Sequence, residues 1–530
     1  MIGYFCLVLH SHLPYVHHPE HDTFLEERWF FEALIESYIP LLMTFERLEK
    51  DGVPFKITMS LTPPLLEMTK TNGLTEKFIS HLKRLIELSE KEISHVQNQE
   101  EKALAVFYKN RFTQILEYYQ NLDYDICNGF SKYAKDGYLE LVTCNATHAF
   151  LPLMQHQPNA VNAQIGIGVR EFKERLNFRP KGIWLAECGY FQGLDEFLKR
   201  HELEFFFVDS HGLWYADEKP KYGVYKPVMT PCGVFVFARD PESSEQVWSA
   251  TTGYPGDYRY REFYRDIGFD RDFEYIKPYI DPSGVRVNTG IKYYRITSKE
   301  VPLDQKKLYN RDEALNAAKG HALDFLNKKL SQTQRLYEIF ELPPVIVAPF
   351  DTELFGHWWF EGPEFIEYFF REAAKNKSLK VATASEVLEK FDTFQILTPA
   401  SSSWGSGGYN ETWLNGQNDW IYLHMNELHD RMTNLAKQYE NETDPLKVRV
   451  LNQMLRELLL LQSSDWAFIL TTQTSVTYAV NRIKTHVKRF LDLERQFMSN
   501  NIDEEYLTEI EQKDSIFPWL DYRIYLYQKI

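Results

Sequence analysis

The chain has 530 residues, a formal net charge of −16 and five cysteines. That length exceeds one small core and implies two or three domains. The acidic balance excludes a role built on neutralising nucleic-acid phosphates, and no apolar run approaches the ~20 residues of a membrane span.

The cysteines (Cys6, Cys127, Cys144, Cys188 and Cys232) are scattered and contain no C-x-x-C. This argues against a disulfide framework and fits a reducing, cytoplasmic setting. The N-terminus MIGYFCLVLH has no basic leader and no small-residue cleavage site, so it reads as a strand and not as a signal peptide.

Ile2–Leu9 is apolar and rich in strand formers. It runs into His10-Ser11-His12, whose histidines share a face in extended chain. Two chemistries fit such a pair. One is metal ligation, as in metal-dependent deacetylases and hydrolases, with Asp209-Ser210-His211 downstream as a completing shell. The other is hydrogen bonding to sugar hydroxyls. No H-E-x-x-H occurs, and the hydrogen-bonding role is the favoured one.

Residues 25–50 carry helical spacing, Lys56–Leu61 is the next strand, and 74–122 reads as an inserted pair of charged helices. Leu139–Val142 is a strand with His148 just past its end, and Gln164–Leu176 is a helix. The stretch Lys181–Tyr190 then organises the chain. A buried strand, Gly182–Ala186, delivers Glu187 into a turn that Gly189 permits. A carboxylate at the C-terminal end of a barrel strand reads as chemistry; the alternative is a structural Glu paired with an Arg. Cys188 reads as a small packing residue.

Phe205–Asp209 and Val234–Ala238 are further strands. The aromatic stretch 239–270 has little regular pattern and reads as a lid, with Tyr254, Tyr258, Tyr260 and Arg261 over a substrate; a packed surface loop is the alternative. Arg311–Phe340 is helical. Pro344–Pro349 is a strand that delivers Asp351, and Glu353 shares its face in extended chain. Glu364–Lys375 is a helix and Lys380–Ala382 the last strand.

Composition shifts near 390–403 into Ser/Gly-rich chain holding Trp404, Tyr409 and Trp413, which reads as a segment wrapped over a cleft. From Trp420 to about 499 the pattern is that of a helical bundle, interrupted at Gln462–Trp466. The expected architecture is α/β: residues 1–395 form a strand–helix barrel or open parallel sheet with inserted helices, and 396–530 an all-α domain over its cleft.

Two carboxylates at strand ends among Trp, Tyr and His suit glycoside chemistry. The spacing alone leaves Asp351 and Glu353 equal as partners of Glu187. Five short motifs in order, His10–Tyr15, Leu141–Leu151, Ile183–Tyr190, Ala348–Pro363 and Ser402–Trp413, give the whole chain a resemblance to glycoside hydrolase family 57, within it to the 1,4-α-glucan branching enzymes. The Ser463-Ser464-Asp465-Trp466 segment points to that subgroup.

The resemblance implies an incomplete (β/α)7 barrel, Glu187 as nucleophile and Asp351 as general acid/base. It also implies substrate contacts at His10, His12, His148, Trp404 and Asp465, with Arg261 and Gln473 as further ones. Tyr260, His357 and Trp413 complete the expected set. No metal or cofactor is implied; the partner is an α-1,4-glucan. Three competing readings are a 4-α-glucanotransferase or α-glucan hydrolase, a metal-dependent deacetylase or mannosidase-like enzyme using His10 and His12, and a non-catalytic glucan-binding protein.

Overall fold

The computed structural model describes residues 2–249 and 252–527. Among the described residues, seven parallel strands on the main path of the sheet follow the order in which apolar runs were met along the chain. They are β1 (Gly3–Ser11), β2 (Ile57–Leu61), β3 (Leu139–Cys144), β4 (Gly182–Trp184), β5 (Phe205–Val208), β7 (Phe235–Ala238) and β8 (Val345–Asp351). A two-residue strand, β6 (Val228–Met229), adds antiparallel to β7, and β9 (Leu379–Val381) pairs with β1. The spatial order is β6-β7-β5-β4-β3-β2-β1-β8.

Where β7 and β8 meet, the Asp240 amide donates to the Val347 carbonyl at 2.8 Å. This narrow seam makes the sheet an incomplete (β/α)7 barrel. Asp240 is buried there and accepts from Lys329 Nζ at 3.2 Å and from Gln332 at 2.8 Å. A buried charge is held only when paired in this way.

The inserted helices are Asn72–His95 and Gln99–Asn121. The helix expected over 25–50 is broken by a π-helical turn at Leu34–Tyr38. Such turns concentrate at functional sites, and this one holds the loop after β8.

The stretch 239–270 departs from the expected structureless lid. It contains the helix Pro241–Trp248, single turns at Tyr254–Gly256 and Ile267–Asp270, and a bridge between Arg261 and Arg295. Its residues 250 and 251 lie outside the described residues. Tyr254 donates to Asp324 at 2.6 Å and Tyr260 bonds His321 at 2.7 Å, so the aromatics pack onto the helix Arg311–Phe340.

Beyond Thr398 the chain runs over the C-terminal ends of the strands and, among the described residues, enters five α-helices, Asp419–Gln438, Pro445–Leu461, Ser464–Thr472, Val476–Met498 and Glu504–Lys513. Among the described residues no helix is long and apolar enough to cross a membrane.

Candidate active site

Four strands deliver the site. β1 ends in His10 and, one step beyond, His12. Their rings are fixed from β2: His10 Nδ1 lies 2.7 Å from Ser60 Oγ, and His12 Nδ1 lies 3.0 Å from Thr62 Oγ1. Ser60 and Thr62 repeat the i, i+2 spacing of the two histidines. That register is the signal by which the sequence could have disclosed them. β3 ends near His148, whose Nε2 is 2.9 Å from His10 Nε2. Burial holds both rings well below the usual imidazole range, so both are neutral and one donates to the other.

β4 delivers Glu187. The turn falls on Glu187 and Cys188 themselves, at φ +62° and +51°, and not on Gly189. Left-handed backbone at two consecutive non-glycine residues stores strain of the kind found at functional sites. Gly189 serves another purpose: a Cβ there would stand 2.8 Å from the Phe150 ring and 3.0 Å from the Ala186 carbonyl.

Both Glu187 oxygens are engaged from outside the barrel. Trp404 Nε1 donates to Oε2 at 2.8 Å, and Ser464 Oγ donates to Oε1 at 3.0 Å. Backbone pairing sets these donors in place. The Trp404 amide reaches the Glu187 carbonyl at 3.0 Å, Tyr190 pairs with Ser402, and the Ser464 amide reaches the His148 carbonyl at 3.0 Å. Burial pushes the Glu187 carboxyl up, and the Trp404 donor pulls it back.

β8 delivers Asp351 opposite His10. Burial raises its carboxyl well above the usual range, reinforced by Glu353 and Glu187 and opposed by Arg239. Asp465, from the helical region, accepts from His12 Nε2 at 3.0 Å. Burial would raise that carboxyl, but His12 overrides it and brings it to about 2. Beside Trp404, Arg239 pairs with Asp209 at 3.1 Å and lines a cleft of about 380 Å³ with Trp248.

Of the expected substrate contacts, His10, His12, His148, Trp404 and Asp465 converge with Glu187 and Asp351. Others do not. Arg261 is buried, pairs with Glu36 at 2.8 Å and lies over the Phe360 ring. His357 bonds the same Glu36 at 2.6 Å, which makes it a brace of the π turn. Tyr260 is buried against His321. Trp413 is buried and stacks on Phe150 at 4.3 Å. Gln473 caps its own helix in the left-handed region at φ +58°, its side-chain amide donating to the Leu470 carbonyl.

The metal alternative can be examined on geometry. His12, His148 and Asp465 bring three ligand atoms within 4.8 Å. The two rings, however, stack at 3.6 Å with planes 10° apart. Their in-plane lone pairs therefore run side by side and do not converge on one ion. Asp209 and His211 stand apart from the group, His211 bonding the Gly408 carbonyl at 2.6 Å.

The fold and its acid-lined centre define the class: an incomplete (β/α)7 barrel with paired carboxyls at the C-terminal ends of its strands. Residues 6–399 match the family model Glycosyl hydrolase family 57, and residues 424–525 match the C-terminal model of 1,4-alpha-glucan branching enzyme. The chain belongs to glycosyl hydrolase family 57.

A 1,4-alpha-glucan branching enzyme of Thermococcus kodakarensis is 34% identical, over 98% of this chain and 78% of that one. Among solved structures, the alpha-amylase AmyC of Thermotoga maritima is 57% identical with a TM-score of 0.94, over 100% of both chains. The branching enzyme of that family from Pyrococcus horikoshii is 32% identical with a TM-score of 0.90, over 100% of this chain and 98% of that one.

Proposed function

We propose that the protein is a retaining α-glucan transglycosylase, a 1,4-α-glucan branching enzyme of glycogen-type polymers, with Glu187 as nucleophile and Asp351 as general acid/base. One observation carries this reading. Both Glu187 oxygens accept a hydrogen bond, from Trp404 Nε1 and Ser464 Oγ, which favours the ionised form, while Asp351 is buried beside Glu187 and Glu353, which favours the protonated one. That asymmetry is how two like groups divide acid and nucleophile between them.

A Glu187 oxygen attacks the anomeric carbon, the C1–O4 bond breaks, and the Asp351 proton passes to O4 of the departing chain. Glu187 is then a neutral ester. Asp351 takes the proton from an acceptor 6-hydroxyl, O6 bonds C1, and the ester bond to Glu187 breaks. Asp465 supplies a hydroxyl partner, the rings of His10, His12 and His148, bonded to Ser60, Thr62, Ser464, Asp465 and one another, hold the site in shape, and Trp404 gives an apolar wall. We assign residues 396–530 to a domain that closes this cleft, and a cytoplasmic setting fits five unpaired cysteines.

The second reading is hydrolysis, favoured by the 57% identity to the alpha-amylase AmyC of Thermotoga maritima. Incubation with amylose and counting of α-1,6 linkages by proton NMR separates them. New α-1,6 linkages outnumbering new reducing ends are expected; reducing ends alone would make the protein a hydrolase. In Trp404→Ala the ratio of branching to hydrolysis should fall.

A further inference from the structure

Past the strand ends, the chains of β1 and β8 stay together. Ser11 Oγ lies 2.7 Å from Thr352 Oγ1, and the His12 amide donates to Glu353 Oε1 at 3.3 Å. Thr352 therefore turns toward Ser11, while Glu353 stays on the side of His12, whose ring holds Asp465. Tyr38 Oη donates to the same Glu353 oxygen. The π turn that carries Tyr38 grips this loop at two more points. Ser37 Oγ accepts from the His357 amide at 3.1 Å, and Glu36 bonds the His357 ring. Glu353 is thus a third carboxyl, fixed from two elements two residues beyond Asp351, and the bond-making steps above do not use it.

We propose that Glu353 is a positioning residue whose fixed negative charge sustains the proton affinity of Asp351 after Glu187 has become an ester. The inference rests on the reading of Asp351 as the acid/base. In the free enzyme Asp351 faces Glu187 from β4, Glu353 on its own loop, the neutral His10, and Arg239 from the end of β7. His12 and Tyr38 face Glu353. Esterification removes the charge of Glu187. Were Glu353 uncharged, Asp351 would then face Arg239, already paired with Asp209, with no like charge left beside it, and would be a poorer acceptor for the proton of the 6-hydroxyl. Burial pushes Glu353 up to about 7 against its two donors, so its charge is half formed near neutral pH and complete on the alkaline side, where the acid Asp351 titrates.

The test uses pH profiles of kcat/KM for the full chain and for Glu353→Gln, whose amide oxygen still accepts from Tyr38 and the His12 amide. The acid Asp351 must hold its proton, so activity is lost as pH rises through its pKa. Removing a neighbouring like charge lowers that pKa, and the alkaline limb should move down by about one pH unit. Rapid-quench mass spectrometry should also show more glycosyl-enzyme at steady state. Tyr38→Phe, which removes a donor and so protonates Glu353 more readily, should move the limb the same way and serves if Glu353→Gln does not fold. A rate reduced equally at every pH, with the limb unmoved in both variants, overturns the proposal. Asp351→Asn retaining turnover overturns the assignment of Asp351 instead.

Discussion

Removing the indole donor of Trp404 should reset the acidity at which the enzyme switches on. Trp404→Phe keeps the ring that lies 4.9 Å from Trp184 but deletes the N–H that donates to Glu187 at 2.8 Å. A hydrogen bond to a charged group is worth about 1.5–3 kcal/mol, and one pKa unit corresponds to about 1.36 kcal/mol. The loss therefore raises the Glu187 pKa by about 1–2 units. The lower end is expected, because Ser464 still donates to Oε1 and water can enter the vacated place. The sign follows from the role. A nucleophile must be ionised, so activity appears as pH rises through its pKa, and raising that pKa moves the acid limb of kcat/KM upward. Initial rates of amylose conversion from about pH 4 to 8 resolve a shift of that size. An acid limb that stays in place, with the alkaline limb moved instead, would refute the assignment of Glu187 as the ionised partner.

The backbone and the ion pairs give two further expectations. Gly189→Ala sets a methyl 2.8 Å from the Phe150 ring and 3.0 Å from a carbonyl; overpacking of this kind costs about 1–3 kcal/mol, and calorimetry should show a lower Tm. Asp465 is held down to about 2 despite its burial. A depressed carboxyl contributes stability above its unfolded pKa and loses it as pH falls toward the folded value. The stability gap between wild type and Asp465→Asn in urea should thus shrink as pH drops from about 4 to 2. A constant gap would refute it.

Much of this was legible in the chain. Strand runs, the long helices and the polar interruption at 462–466 are local patterns, and local hydrophobic period survives folding. Residues at strand ends were legible for the same reason. His10, His12, His148, Glu187 and Asp351 each follow an apolar run, and a barrel turns all such positions to one face. The packing of Arg261, Tyr260, His357 and Trp413 was not legible because their partners, Glu36, His321 and Phe150, sit in other elements, far away in sequence. An aromatic or a charge in an irregular stretch looks free until the helix it docks on is known. The π turn at Leu34–Tyr38 left no trace in the pattern either, since one extra residue in a helix barely disturbs its apolar spacing. Its effect, a grip on Glu353 and His357, appears only in three dimensions.

The barrel makes both acids, yet neither donor that engages Glu187 belongs to it: Trp404 arrives on the crossing segment and Ser464 on the first turn of a helix beyond residue 460. The reactive acids and the donors that govern Glu187 thus lie on either side of residue 395. Lineages could retune water against acceptor sugar by editing residues 396–530 while leaving the scissile chemistry untouched, and a chimera exchanging only that segment should inherit the temperament of its donor.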